Sequence, residues 1–191
     1  MTSIDIYQRY CELFIKLKEI IISSELRVIG DIPDKLFSDN VNFFVKSYLI
    51  TICSYLEAFL QDLALLKATE INSRITQASI PHNYLLWKLV DNIKEKDLAY
   101  RNSNLTTSKK DVSDNLSANP YKTIKLFQKL GYNLEGNQSF LKNKDLVSTI
   151  VNKRNSIIHH NDRAADVSFN DLLIYIDTIR EYSKAIADEL D

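Results

Sequence analysis

Arg154, Asn155 and His159 stand near the end of a run, 139–160, whose apolar spacing is otherwise that of an ordinary helix. Arginine is always charged and presents a planar fork of donors that matches phosphate oxygens. Histidine is the side chain whose charge changes near neutral pH, so it can take or give a proton. Asn155 and His159 are four apart and share a helical face, with Arg154 their immediate neighbour. Together they are a sufficient kit for acting on a phosphodiester without a metal. Histidine would move the proton of an attacking hydroxyl or of the leaving oxygen, and arginine would hold the charge growing on the phosphate. One pair is sparse for a full site. Two copies across a symmetric dimer would supply both an acid and a base.

A structural reading stands beside this one. On a helical wheel Leu146, Ile150 and Ile157 form one ridge, and Val147, Val151, Arg154 and Ile158 the next. Arg154 therefore occupies a slot where the period expects Leu or Val. A guanidinium there must find an acceptor, because an unpaired buried charge is very costly. Glu57 is the first candidate, and His159 with His160 would then form a cationic cap at the helix C-terminus. On the residues alone both answers stay open.

The elements that must position these residues are read from period and punctuation. Residues 4–28 carry Ile6, Leu13, Leu17, Ile20 and Ile21 at helical spacing, and "GDIPD" (30–34) ends the run. A second helix begins after Ser38 or Asp39 as N-cap and runs to about Ala68 or beyond. It is apolar nearly all round: Ser47, Ser54 and Gln61 leave a thin polar line with Glu57 beside it, as in the central helix of a bundle or a subunit interface. After Pro81, "HNYLLWKLVDNIKEKDLAY" (82–100) reads as a shorter helix, with His82 expected in the loop at its start. Residues 101–120, rich in Ser, Asn and Thr, read as a long loop. Residues 121–131 form a helix stopped at Gly131, 139–160 carry the Arg154 motif, and the last helix opens on a Ser168 and Asp171 capping box. Strand alternation is not evident. The expectation is an all-α, single-domain bundle of about five to seven helices spanning 1–191.

Composition agrees with helix and bounds function. Glycine and proline number three each, and the net charge is −1, which gives no general attraction for nucleic acid. Cys11 and Cys53 lie in apolar patterns with no second ligand at metal spacing, so two buried thiols are expected, with no metal and no cofactor. Tyr10, Tyr48, Tyr55 and Tyr175 fall in apolar patterns and are expected to pack in a core or interface. Charges interrupt the first apolar run, unlike a signal peptide, and no stretch approaches the ~20 apolar residues of a membrane span. The expectation is a cytoplasmic protein.

Arg154-Asn155-Ser156-Ile157-Ile158-His159 fits the Arg-x4-6-His pattern, with a polar residue after the arginine, that marks the HEPN superfamily of helical ribonucleases, the RiboL-PSP-HEPN domains among them. The resemblance is wider than the motif. "ITICSYLEAFLQDL" (50–63) resembles that group's central helix, and "FNDLLIYIDTIREYSKAI" (169–186) its closing helix. The resemblance implies a metal-independent endoribonuclease working as a homodimer, in a toxin–antitoxin or antiviral defence setting. It implies that Arg154 and His159 are catalytic, that Asn155 orients the histidine or the substrate, and that Glu57 is an addition from the central helix. His160 stands beside them as a further supporting candidate, but it is expected to be exposed, since two adjacent helix-end residues do not easily face one cleft. Partners would be RNA, a second copy, and a cognate antitoxin or other defence protein, with no membrane. One departure stands out: where the branch paired with a nucleotidyltransferase has a tyrosine two residues after the motif histidine, this chain has Asn161.

Lys142, Lys144, Lys153, Arg154 and Arg163 against Asp145 and Asp162 leave residues 139–163 at +3. Lys142, Lys144, Lys153 and Arg163 are therefore the expected RNA contacts, two such patches meeting in a dimer. The rival expectation is a silent helical module that dimerises and binds a nucleotide or a protein.

Overall fold

In the chain's first helix, α1 (Ser3–Ile29), Ile6, Tyr10, Phe14, Leu17 and Ile21 recur at three and four and are buried. Thr2 opens it with a capping box: its hydroxyl accepts from the Asp5 backbone N–H, and the Asp5 carboxylate accepts from the Thr2 N–H. The computed structural model describes residues 2–160 and 166–191, apart from the His160 side chain. Among them are eight α-helices and no strand, only an isolated bridge between Pro81 and Asn102.

The remaining helices are α2 (Lys35–Ser38), α3 (Val41–Gln77), α4 (His82–Leu89), α5 (Lys109–Asn115), α6 (Pro120–Lys129), α7 (Gln138–His160) and α8 (Phe169–Leu190). The long helices α1, α3, α7 and α8 pack against one another around one apolar core. α3 is the centre of that bundle. Val45, Leu49, Ile52, Cys53, Leu56, Phe59, Leu60 and Leu63 are buried along it, facing α1, α7 and α8. Its polar line costs little, because the hydroxyls of Ser47, Thr51 and Ser54 donate to carbonyls four residues back in the same helix.

By length and composition α3 could cross a membrane, with an 18-residue window of mean hydropathy 1.5. This corrects the sequence expectation that no stretch comes close. An unbroken apolar run is absent, but scattered Ser and Thr lower hydropathy little. Less than half of that window (44%) is fully buried within the chain; Val41, Tyr48, Ile50 and Tyr55 are partly buried against the core, and Phe43 is exposed.

Four boundaries differ from expectation for local reasons. Residues 101–120 are not all loop: α5 forms there because Ser108 and Asp111 make a capping box and Val112 and Leu116 are buried in the core. Residues 35–38 make an extra short helix capped by Asp34, and α3 starts after Asn40. Asn40 does not cap α3, since its amide donates instead to the Leu36 carbonyl at 2.9 Å. α4 stops at Leu89 and buries no side chain, so nothing holds the following residues helical. Gly131, with φ +91°, terminates α6 as expected, in the left-handed region that a residue with a Cβ avoids.

Tyr10 is buried, and Tyr48, Tyr55 and Tyr175 are partly buried against the core. Cys53 is buried and Cys11 half-buried, both as free thiols. His82 is the first residue of α4, its backbone N–H donating to the Arg101 carbonyl at 3.0 Å.

Candidate active site at the end of α7

α7 is held between α3 and α8 by Phe140, Val147, Ile150, Val151 and Ile157, all buried. This seam is narrower than the two apolar ridges of the sequence suggest. Leu146 and Ile158 are exposed at 38% and 48%, because only one flank of each ridge meets a neighbour.

Arg154 sits where the seam meets α3. Its side chain is 18% exposed, and one terminal nitrogen donates to Glu57 Oε2 at 2.8 Å. The other terminal nitrogen donates to Asn155 Oδ1 at 3.0 Å, and Nε is buried with no hydrogen-bond partner. Each terminal nitrogen keeps a second N–H. Cys53, one helical turn before Glu57, lies in the same field: burial pushes its thiol up to about 12, with the Arg154 charge acting the other way. That thiol stays protonated at neutral pH and is packing, not a nucleophile. Its place one turn from Glu57 on the central helix was the sequence signal that could have marked it.

His159 is exposed. Because α7 is helical through to His160, Arg154 and His159 are about 140° apart around the axis and about 7.5 Å apart along it. Within one chain, then, the arginine is turned toward α3 and the histidine toward solvent. Asn155 lies between them, half-buried and bonded to the arginine.

The basic residues divide by face. Lys144, Asn155 and His159 fall within about 60° of one another around α7, whereas Lys142 is about 160° from Lys144. Lys142 is exposed beside Glu181 of α8, 3.7 Å away. Lys153 is paired with Asp166, which compensates its charge. Lys144 lies over the Tyr121 ring, 5.1 Å from its centre. Arg163, Asn161 and the side chain of His160 lie outside the described residues. Among the described residues no three His, Cys, Asp or Glu side chains stand together as a metal-binding group.

A family model described as RiboL-PSP-HEPN matches residues 6–191. The chain belongs to the RiboL-PSP-HEPN family. Comparison with curated proteins and with solved structures gives no match. HEPN domains are often ribonucleases, and some are inactive. The all-α bundle of this chain is that of a HEPN domain, with α3 as its central helix and the Arg154–His159 segment at the end of α7.

Proposed function

We propose that this HEPN protein is a metal-independent endoribonuclease of cytoplasmic RNA, acting as a homodimer in a toxin or antiviral defence setting. One observation supports the reading above the others. At the end of α7 a charged guanidinium is held nearly buried by Glu57 at 2.8 Å, while His159, a turn and a half further on, is exposed. The two point away from each other in one chain, so a site using both is completed most simply by a second copy facing the first.

In such a site a neutral His159 takes the proton of a ribose 2′-hydroxyl as its oxygen attacks the adjacent phosphorus. The phosphorus–O5′ bond breaks, and the same histidine of the second copy, protonated, gives its proton to the departing O5′. Arg154, with N–H groups left over from Glu57 and Asn155, holds the non-bridging oxygens as charge builds on them. The products are a 2′,3′-cyclic phosphate and a free 5′-hydroxyl.

The test is cleavage of single-stranded RNA with and without EDTA. Cutting is expected to persist in EDTA, to leave 2′,3′-cyclic ends, to fail on a substrate with deoxyribose at the scissile position, and to vanish in His159→Ala. Cleavage that survives His159→Ala, or that needs added magnesium, would overturn this mechanism. A second reading is favoured by the Arg154–Glu57 pair itself, which is also what a purely structural ion pair requires. On that reading the domain is inactive and serves dimerisation and the binding of a nucleotide or protein. Absence of cleavage on any RNA, with the dimer intact, would select it.

A further inference from the structure

α6 is an amphipathic helix whose polar side is of one charge. Thr123, Leu126 and Phe127 are buried and anchor it, and Asn119 and Pro120 fix its first turn. The opposite side presents Tyr121, Lys122, Lys125 and Lys129, all exposed. No acidic residue occurs from 115 to 134, so this segment carries +3 on a chain whose net charge is −1. The three lysines line an open groove of about 440 Å³ against the end of α5, where Asp114 is the one acidic lining residue and Asn115 accepts from Lys129 at 3.2 Å.

Tyr121, next to Lys122 of the groove, links α6 to the motif face of α7. Tyr121 is 52% exposed and lies under Lys144, the lysine that shares a face with Asn155 and His159. From His159 back to Lys144 is fifteen residues, about 22 Å along the helix axis, and the lysines of α6 continue the track from there. A basic row that begins with an exposed aromatic ring is the combination that tracks a single-stranded backbone and stacks a base.

We propose that α6 is a second RNA-contact surface, in which Lys122, Lys125 and Lys129 meet phosphates and Tyr121 stacks a base of a single strand whose scissile bond lies at His159. The proposal rests on the ribonuclease reading for the choice of strand. It extends the substrate footprint beyond the motif helix and makes affinity depend on strand length. α6 holds the outlying nucleotides, and the reacting phosphate is held by Arg154.

The experiment measures binding of an uncleavable, fully 2′-O-methylated 12-mer by fluorescence anisotropy across a salt series. Lys122→Glu with Lys125→Glu is expected to weaken binding about tenfold or more near 0.1 M salt, and to lower the salt slope by about 1.4, the value for two lost single-strand phosphate contacts. Lys122→Gln with Lys125→Gln is expected to give a smaller loss in the same direction, and Tyr121→Ala a loss of about fivefold. Lys16→Glu with Lys96→Glu, an equal change in net charge at exposed residues elsewhere, is expected to leave affinity within twofold. Thermal melts of each variant report that the fold is kept. Wild-type binding that the α6 reversal does not weaken overturns the proposal, as does an equal loss in the Lys16 and Lys96 control, or no binding by the wild type. RNA cleavage is read separately, so binding through α6 by a protein that cuts nothing would retain this surface while removing the ribonuclease reading.

Discussion

Arg154 and His159 carry different energetic weight, and their replacement should separate them. Arg154 makes a charged hydrogen bond to Glu57 from a mostly buried position, so Arg154→Ala removes it and leaves a half-buried carboxylate unpaired. The expected cost is about 1–3 kcal/mol in urea unfolding, discounted toward the lower end because Glu57 is 30% exposed. A double-mutant cycle with Glu57→Gln should recover part of it as coupling. His159 is exposed, and His159→Ala should change stability by no more than about 0.5 kcal/mol. Loss of cleavage in both variants, with loss of stability in only one, is the expected pattern. A His159→Ala variant that unfolds would contradict the assignment of that side chain to the solvent face.

At the level of elements, α8 depends on a cap that responds to pH. The Ser168 hydroxyl and backbone N–H both donate to the Asp171 carboxylate, and these bonds hold the carboxyl below its ordinary 3.8. A depressed carboxyl contributes stability that is present above its unfolded value and is lost as pH falls through the folded one. Melting at neutral pH should therefore show a cost for Asp171→Ala that shrinks below about pH 4 and is gone once wild-type Asp171 is protonated. Ser168→Ala should cost about 1 kcal/mol at neutral pH. Deeper in the same layer, Ile150→Ala should cost about 2–5 kcal/mol, because Ile150 is fully buried where α7 meets its neighbours. An Ile150 variant as stable as the wild type would mean that α7 is less firmly seated than its packing indicates.

The molecule as a whole leaves apolar surface uncovered. Phe43 on α3 is 64% exposed, Leu146 and Ile158 on the motif helix are also exposed, and much of the α3 flank is only half-buried. A homodimer interface contributed by α3 and α7 would cover these residues and bring two copies of the motif together. Light scattering at micromolar concentration is expected to give twice the chain mass, and Ile158→Glu to shift it toward monomer with loss of cleavage. A stable wild-type monomer would remove the composite site along with the dimer.

The sequence by itself determined the long helices and their order, because apolar spacing of three and four, the capping box at Ser168 and the stop at Gly131 are local features. It also determined the motif and the family, since Arg154 in an apolar slot followed by His159 is a pattern of residue types. It offered Glu57 as the first candidate for the arginine's partner, and the fold brings the two to 2.8 Å. Short elements escaped it: α5 looked like loop because Ser, Asn and Asp dominate it, and its local signal, the Ser108–Asp111 capping box, is completed by the burial of Val112 and Leu116 against distant helices. What tertiary structure alone decided is direction. The packing of α7 between α3 and α8 buries Val151 and Ile157, turns Arg154 onto Glu57 and leaves Ile158 and His159 outward. It also sets Lys144 over Tyr121, joining α6 to the motif face. Period says which residues share a ridge. Only the neighbours that a ridge meets say which of its flanks is core and which is left for a partner or a substrate.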